Sequence, residues 1–304
     1  MDKIIRIGTR ESQLALWQAN TVKDLLQQYG FRSELVLIKS EGDTDLKTPL
    51  YEIGVQGIFT RALDIALLNG AIDIAVHSMK DVPTLMAKGI VQAAVLPRAS
   101  YKDILVLKPG TVFSQHTDTP ATIGTSSIRR KAQWLHRYPA DNIENLRGNV
   151  NTRLKKVAES NWEGAIFAAA GLERIGLRPA NAVELDWMLP APAQGAIIVV
   201  CGEGNEFAKD ACRNFHDEHT AVCTHAERDF LRALLGGCST PISALASIEN
   251  QKIIFEGNIL SKDGKQKKEV KKTMTLTEAT NIGTTAATEL LQDGGQAILD
   301  DIKN

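Results

Sequence analysis

The chain has few of the features that mark a specialised protein. Its 304 residues contain only four cysteines, Cys201, Cys212, Cys223 and Cys238, and no two form a C-x-x-C pair. That weakens zinc-ribbon and thioredoxin-like readings. No apolar run approaches the ~20 residues that a membrane helix needs. The longest candidate, from Ala191 to Cys201, is interrupted by Pro192, Gln194 and Gly195. Neither a G-x-x-x-x-G-K-[ST] loop nor a G-x-G-x-x-G turn is present, which removes the common nucleotide signatures. Excess charge is also lacking: the net value is −1, so nothing pulls the whole chain toward nucleic acid or anionic membrane. The opening Met1-Asp2-Lys3-Ile4-Ile5-Arg6 has no charged-then-apolar signal pattern. A cytoplasmic protein with no membrane and no nucleic-acid partner is the expectation, with no metal site.

What is present is an ordinary globular composition, 43% hydrophobic and 23% charged, long enough for two or three domains. Short β-branched runs alternate with amphipathic stretches. Lys3–Ile7 reads as a strand, Ser12–Gln28 as a helix, Glu34–Ile38 as a strand, Thr60–Leu68 as a helix and Ile72–Val76 as a strand. This rhythm predicts a mainly parallel sheet covered by helices. It restarts near Thr122, with a helix over Ser126–His136, another over Asn149–Glu159 and a strand over Ala165–Ala170. Ala196–Cys201 reads as a buried strand that returns to the first domain. A third region holds a helix over His219–Leu235, three strands with a Lys262-Asp263-Gly264-Lys265 turn, and a closing helix over Thr277–Gln292. The expected domains are 1–97 with 196–214, 102–190, and 218–304.

Positive charge is concentrated in one place. Residues 121–156 carry Arg129, Arg130, Lys131, Arg137, Arg147, Arg153, Lys155 and Lys156 against Asp141 and Glu144 alone. Within and before this stretch, Gly8-Thr9-Arg10-Glu11-Ser12, Gly124-Thr125-Ser126-Ser127-Ile128-Arg129-Arg130 and Arg147-Gly148-Asn149-Val150-Asn151-Thr152-Arg153 share one design. Small polar residues open a helix, whose first N–H groups favour an anion, and arginine stands close by. Such starts, at the ends of parallel strands, predict a crevice for a multiply charged oxyanion. Phosphate is open as a ligand, but bidentate arginine and the missing nucleotide loops favour a polycarboxylate. Trp134 and Tyr138 are the cluster's aromatic residues, too few for base stacking.

Two further segments remain open on residue chemistry alone. His77-Ser78-Met79-Lys80-Asp81-Val82-Pro83 follows an apolar strand, so it is either a salt-bridged turn or a site of chemistry at a strand's carboxyl end. In Gly236-Gly237-Cys238-Ser239-Thr240-Pro241, the cysteine is either a small buried hydrophobe or an accessible thiol for covalent attachment. The two preceding glycines favour close approach of a bulky group.

These motifs together, with Leu146-Arg147-Gly148-Asn149-Val150 and the opening Arg6-Ile7-Gly8-Thr9-Arg10-Glu11-Ser12-Gln13-Leu14-Ala15-Leu16, resemble the hydroxymethylbilane synthase (porphobilinogen deaminase) family over nearly the whole chain. The resemblance implies two type II periplasmic-binding-protein-like domains followed by a small C-terminal α/β domain with a three-stranded sheet. It implies an enzyme that joins porphobilinogen units with loss of ammonia on a dipyrromethane cofactor, held by a thioether to Cys238, and then releases a linear tetrapyrrole. By the same resemblance Asp81 is the catalytic carboxylate. Ser12, Lys80, Ser127, Arg129, Arg130, Arg153 and Phe59 contact the cofactor, and Arg10, Arg147, Arg174 and Gln194 contact substrate. Glu52 and Gln56 depart from the pattern, since many relatives carry lysine there. A solute receptor or effector-sensing module on the same two-domain scaffold is the competing function.

Overall fold

The computed structural model describes residues 3–39, 60–111, 119–234 and 240–303. The chain divides into two compact units, which change over between Ala99 and Ser100, between Gln194 and Gly195, and between Val222 and Cys223.

The first unit is built on a sheet of strands β1 (Ile5–Thr9), β2 (Ser33–Leu37), β3 (Ile74–Ser78), β4 (Ile90–Val95) and β10 (Ile197–Gly202). Their order is β2-β1-β3-β10-β4. β1 is parallel to β2 and β3, while β10 runs antiparallel between β3 and β4. Helix α1 (Gln13–Gln28) buries Ala19, Val22 and Leu26 on one sheet face, with Ala208, Ala211 and Cys212 of α6 (Glu206–Arg213) in the same core. Helix α2 (Arg61–Leu68) packs nearer Gly8, where a Cβ would come within 2.2 Å of Ile72 Cδ1 and 2.9 Å of Leu63 Cδ2. A side chain at that position would need Ile72 and Leu63 to shift.

The second unit repeats the plan. Strands β5 (Asp103–Leu107), β6 (Thr122–Gly124), β7 (Asn142–Glu144), β8 (Gly164–Ala168) and β9 (Val183–Glu184) lie in the order β7-β6-β8-β5-β9. Here β5 is the antiparallel member beside β8. In both sheets three parallel strands are followed by one antiparallel strand that comes from outside the local βα series, and then by an outer strand. This is the strand order of type II periplasmic-binding-protein lobes. Alternate residues of β5 serve the two faces: Ile104 and Val106 join one core, Leu105 and Leu107 the other. Helices α3 (Ile128–Arg137), α4 (Val150–Glu159) and α5 (Ala169–Glu173) cover them.

The same unit contains the end of α7 (Glu218–Ala233) and the antiparallel sheet β11 (Ile242–Glu249), β12 (Lys252–Leu260) and β13 (Lys267–Thr275). Phe230 of α7 packs at a tilt against Phe255 with ring centroids 5.3 Å apart, and Gly257 leaves room for the Phe230 ring. The lysines of β13 lie on the outer strand, where charge discourages pairing with other chains. The Lys262–Lys265 turn is present, but it is not merely a solvated tip. His136 Nδ1 lies 2.7 Å from Gly264 O, and a Cβ on Gly264 would come within 2.5 Å of Ala132 O. With φ at +76°, Gly264 holds a conformation that residues with a Cβ rarely adopt. Gly264→Val is expected to cost about 1–3 kcal/mol in unfolding free energy. Urea denaturation checks this, and an unchanged midpoint would refute the packing argument.

Several sequence expectations need correction. β3 starts two residues later than Ile72 and runs through His77 and Ser78, because β10 pairs with it as far as Ser78. The single closing helix over Thr277–Gln292 is replaced by α8 (Ile282–Leu290), a wide turn at Leu291–Gly295 and α9 (Gln296–Lys303). Gly294, at φ +96°, breaks the helical path. Helix α6 is masked in the sequence by the charged residues Glu206, Lys209, Asp210 and Arg213.

Candidate active site

In the first unit the chemistry gathers at the carboxyl ends of β1 and β3. Ser12 is the N-cap of α1 and accepts from Ala15 N at 3.3 Å, as its position in the sequence predicts. The buried Thr9 hydroxyl donates to Ala15 O at 3.1 Å and fixes the strand-to-helix turn that carries Arg10. After Ser78, a single 3-10 turn spans Met79–Asp81. Its start is anchored by Met79 N donating to Ala196 O at 3.0 Å, so β10 sets where Lys80 and Asp81 sit.

Arg10, Ser12, Gln18, Thr60, His77, Ser78 and Asp81 line one cavity of ≈ 80 Å³, beside Leu14, Ala15 and Val76. That exceeds the ~10–15 Å³ that admits one water; it suits a small polar group. Asp81 is half-buried, and among the described residues no ion pair or hydrogen bond engages its carboxylate. Lys80 precedes it on the turn but is not among the cavity's lining residues. His77 is 6% exposed. Burial, reinforced by the Arg10 charge, pushes its imidazole down to about 4 from the ordinary 6.5.

A stability consequence follows. The folded protein binds this proton less readily than the unfolded chain does, so stability rises with pH across the window from about 4 to 6.5. Acidification through that window is expected to remove up to about 3 kcal/mol through His77. Unfolding curves at pH 4 and 7 for wild type and His77→Gln check it; an equal pH dependence in the two proteins would refute it.

In the second unit the arginine cluster has an unexpected centre. Ser127 caps α3, accepting from Arg130 N at 3.4 Å. Arg129 Nη2 donates to Asp103 Oδ2 at 2.7 Å, and Arg130 Nη2 donates to Asp103 Oδ1 at 2.7 Å. Gln194 Nε2 donates to the same Oδ1 at 2.9 Å. Further donors reach main-chain oxygens of Leu189, Ile166 and Tyr101. Asp103 is fully buried. Burial alone would raise its pKa, but the two guanidiniums outweigh that and hold it well below the ordinary carboxylate range.

Asn149 caps α4 through Thr152 N at 2.9 Å. Arg153 Nε donates to Gly148 O at 2.7 Å, where Gly148 has φ +117°. Arg147 is buried, at the start of the same loop. Arg174 follows α5, and burial lowers it to about 10 against the opposing charge of Glu173. All three expected helix starts are thus genuine caps. Cys238 and Phe59 lie outside the described residues, as do Glu52 and Gln56. Cys201, Cys212 and Cys223 are buried; burial pushes the Cys212 thiol up to about 12. Among the described residues no cluster of His, Cys, Asp or Glu could hold a metal ion, and no helix is long and apolar enough to cross a membrane.

Asp103, Gln18 and the inward place of His77 are functional features that the sequence pattern does not mark as such. Asp103 lies outside the arginine-rich stretch 121–156. Its signal was an acid heading the otherwise apolar run Asp-Ile-Leu-Val-Leu.

Paired lobes of binding-protein topology, with a carboxylate in a cavity at one lobe's strand ends and a buried arginine centre in the other, define a ligand-handling α/β protein. The chain belongs to the porphobilinogen deaminase family. The family model described as "Porphobilinogen deaminase, dipyromethane cofactor binding domain" matches residues 5–210, and "Porphobilinogen deaminase, C-terminal domain" matches residues 221–292. The porphobilinogen deaminase of Syntrophotalea carbinolica is 42% identical over 97% of this chain and 95% of its own. That of a Geobacillus species is 38% identical over 100% and 98%. A probable porphobilinogen deaminase of Methanocaldococcus jannaschii is 44% identical over 80% and 82%. A ligand-binding component of an ABC-type import system from Staphylococcus aureus aligns at 17% identity and a TM-score of 0.39, over 75% of this chain and 74% of that one.

Proposed function

We propose that this chain is a hydroxymethylbilane synthase. It joins four porphobilinogen molecules head to tail with loss of ammonia, then releases the linear tetrapyrrole by adding water. The observation that carries this is the Asp81 carboxylate, uncommitted among described partners and sharing a cavity with Arg10 and Ser12, in a chain of this family.

The donor set fits a dipyrromethane, whose side chains are carboxylates and whose ring nitrogens carry positive charge as bonds form. When bound, that group supplies the pyrrole carbon on which the chain grows. Asp81 stabilises positive charge at the pyrrole nitrogen of the incoming unit and moves the proton there. Arg10, Lys80, Arg147, Arg153 and Arg174 hold carboxylate side chains, helped by the Ser12 and Ser127 helix starts. Arg129 and Arg130 contribute through N–H donors not taken by Asp103, since each guanidinium has five. Gln194 contributes at the substrate side while bonded to the same Asp103. Phe59 packs on the cofactor, and Cys238 is its covalent anchor.

We further assign three domains, 1–97 with 196–214, 102–190 and 218–304, in a cytoplasmic monomer that binds neither nucleic acid nor membrane. Intact mass tests the proposal. The purified protein is expected to exceed its chain mass by one dipyrromethane, and Cys238→Ser is expected to lose both that increment and activity. An unmodified, fully active wild-type protein would exclude the proposal.

A further inference from the structure

The cavity beside Asp81 contains a second group whose bonding is incomplete. His77 Nε2 is buried and has no hydrogen-bond partner among the described residues. Leaving such an atom unsatisfied costs free energy that a ligand can return. Its neighbours in the cavity wall are largely occupied. Ser78 Oγ accepts from Gln18 Nε2 at 2.8 Å, and Ser12 Oγ caps α1. Thr60 hydrogen-bonds the Asp64 carboxylate. Arg10 suits an anion. A cationic or amine group entering here meets the Asp81 carboxylate, and His77, whose Nε2 is closed to solvent, stands in the same wall. β3 directs His77 away from the α1 core formed by Ile74 and Val76, and so toward the side of α2.

We infer that His77, through its buried Nε2, is a specificity-determining contact for the aminomethyl nitrogen of porphobilinogen in the Asp81 cavity. This rests on porphobilinogen being the substrate. The bond orients the amine that will leave as ammonia, while Arg10 and Ser12 take a carboxylate arm. As a neutral acceptor, His77 tolerates the cationic amine that a lysine or arginine would repel.

The test uses the full-length holoprotein. Wild type, His77→Leu and His77→Gln are compared for the KM of porphobilinogen. They are also compared for the inhibition constant of an analogue in which methyl replaces aminomethyl. For His77→Leu, KM is expected to rise about 10- to 100-fold, the value of a hydrogen bond to a charged group. The inhibition constant is expected to hold, and His77→Gln, which keeps a polar atom near the Nε2 position, to recover most of the KM. Equal changes in both constants, or no change in either, would overturn the inference. A second measurement needs no variant. In wild-type protein carrying isotope-labelled histidine, the His77 Nε2 resonance is expected to move with aminomethylpyrrole and to stay with methylpyrrole. The same response to both would also overturn it. Wild-type protein that makes no tetrapyrrole from porphobilinogen would overturn the proposed function itself, which separates the two failures.

Discussion

Asp81→Asn is expected to lower porphobilinogen turnover by about 10²- to 10⁴-fold, the usual contribution of a positioned acid–base group. The substitution keeps size and polarity but removes the negative charge. Asp81 follows β3 on a short turn whose geometry is set by Met79 N on Ala196 O. Its side chain is engaged by no described partner, so no ion pair is lost with the charge. Thermal stability should therefore stay close to wild type, and the defect should appear in kcat more than in KM, because charge at nitrogen develops during reaction. Intact mass shows whether the cofactor is in place in the variant, which separates failed elongation from failed loading. Wild-type turnover would remove Asp81 from the mechanism.

The second large effect is on stability. Asp103→Ala leaves two buried guanidiniums and the Gln194 amide facing a void, and is expected to cost about 3–5 kcal/mol. Asp103→Asn keeps one acceptor and is expected to cost less. The folded pKa of Asp103 lies below its unfolded value of 3.8. Its stabilising contribution is therefore fully present above that value and is lost as the pH falls through it. Urea titrations at neutral pH and near pH 3 measure both effects. If Asp103→Ala unfolds at the wild-type urea concentration, the cluster contributes nothing net and the argument fails.

Much of this was legible beforehand because local rules agreed with the fold. Ser12, Ser127 and Asn149 read as helix caps and are helix caps, since a short polar side chain after a strand has few other uses. The returning strand Ala196–Cys201 was legible from its uninterrupted apolar run, which only a strand covered on both faces tolerates. Its antiparallel direction was not, because direction depends on where the chain re-enters the sheet. Asp103 was missed for a related reason. Charge counted along the sequence cannot register an acid brought to Arg129 and Arg130 from another strand. His77 was assigned to the segment after β3 because its polarity suggested a loop, whereas pairing with Ile198 holds it inside the sheet.

The insertion of β10 between β3 and β4 has a consequence for how the molecule is made. β4 ends at Val95, yet the strand that joins it to β3 begins only at Ile197. A nascent chain leaving the ribosome exposes two unfilled strand edges until that segment emerges. The sheet of the second unit has all its strands by Glu184. The first lobe to be synthesised is therefore the second to be completed. Truncation anywhere before Ile197 should yield a fragment prone to pair with its own copies through the gap beside β3.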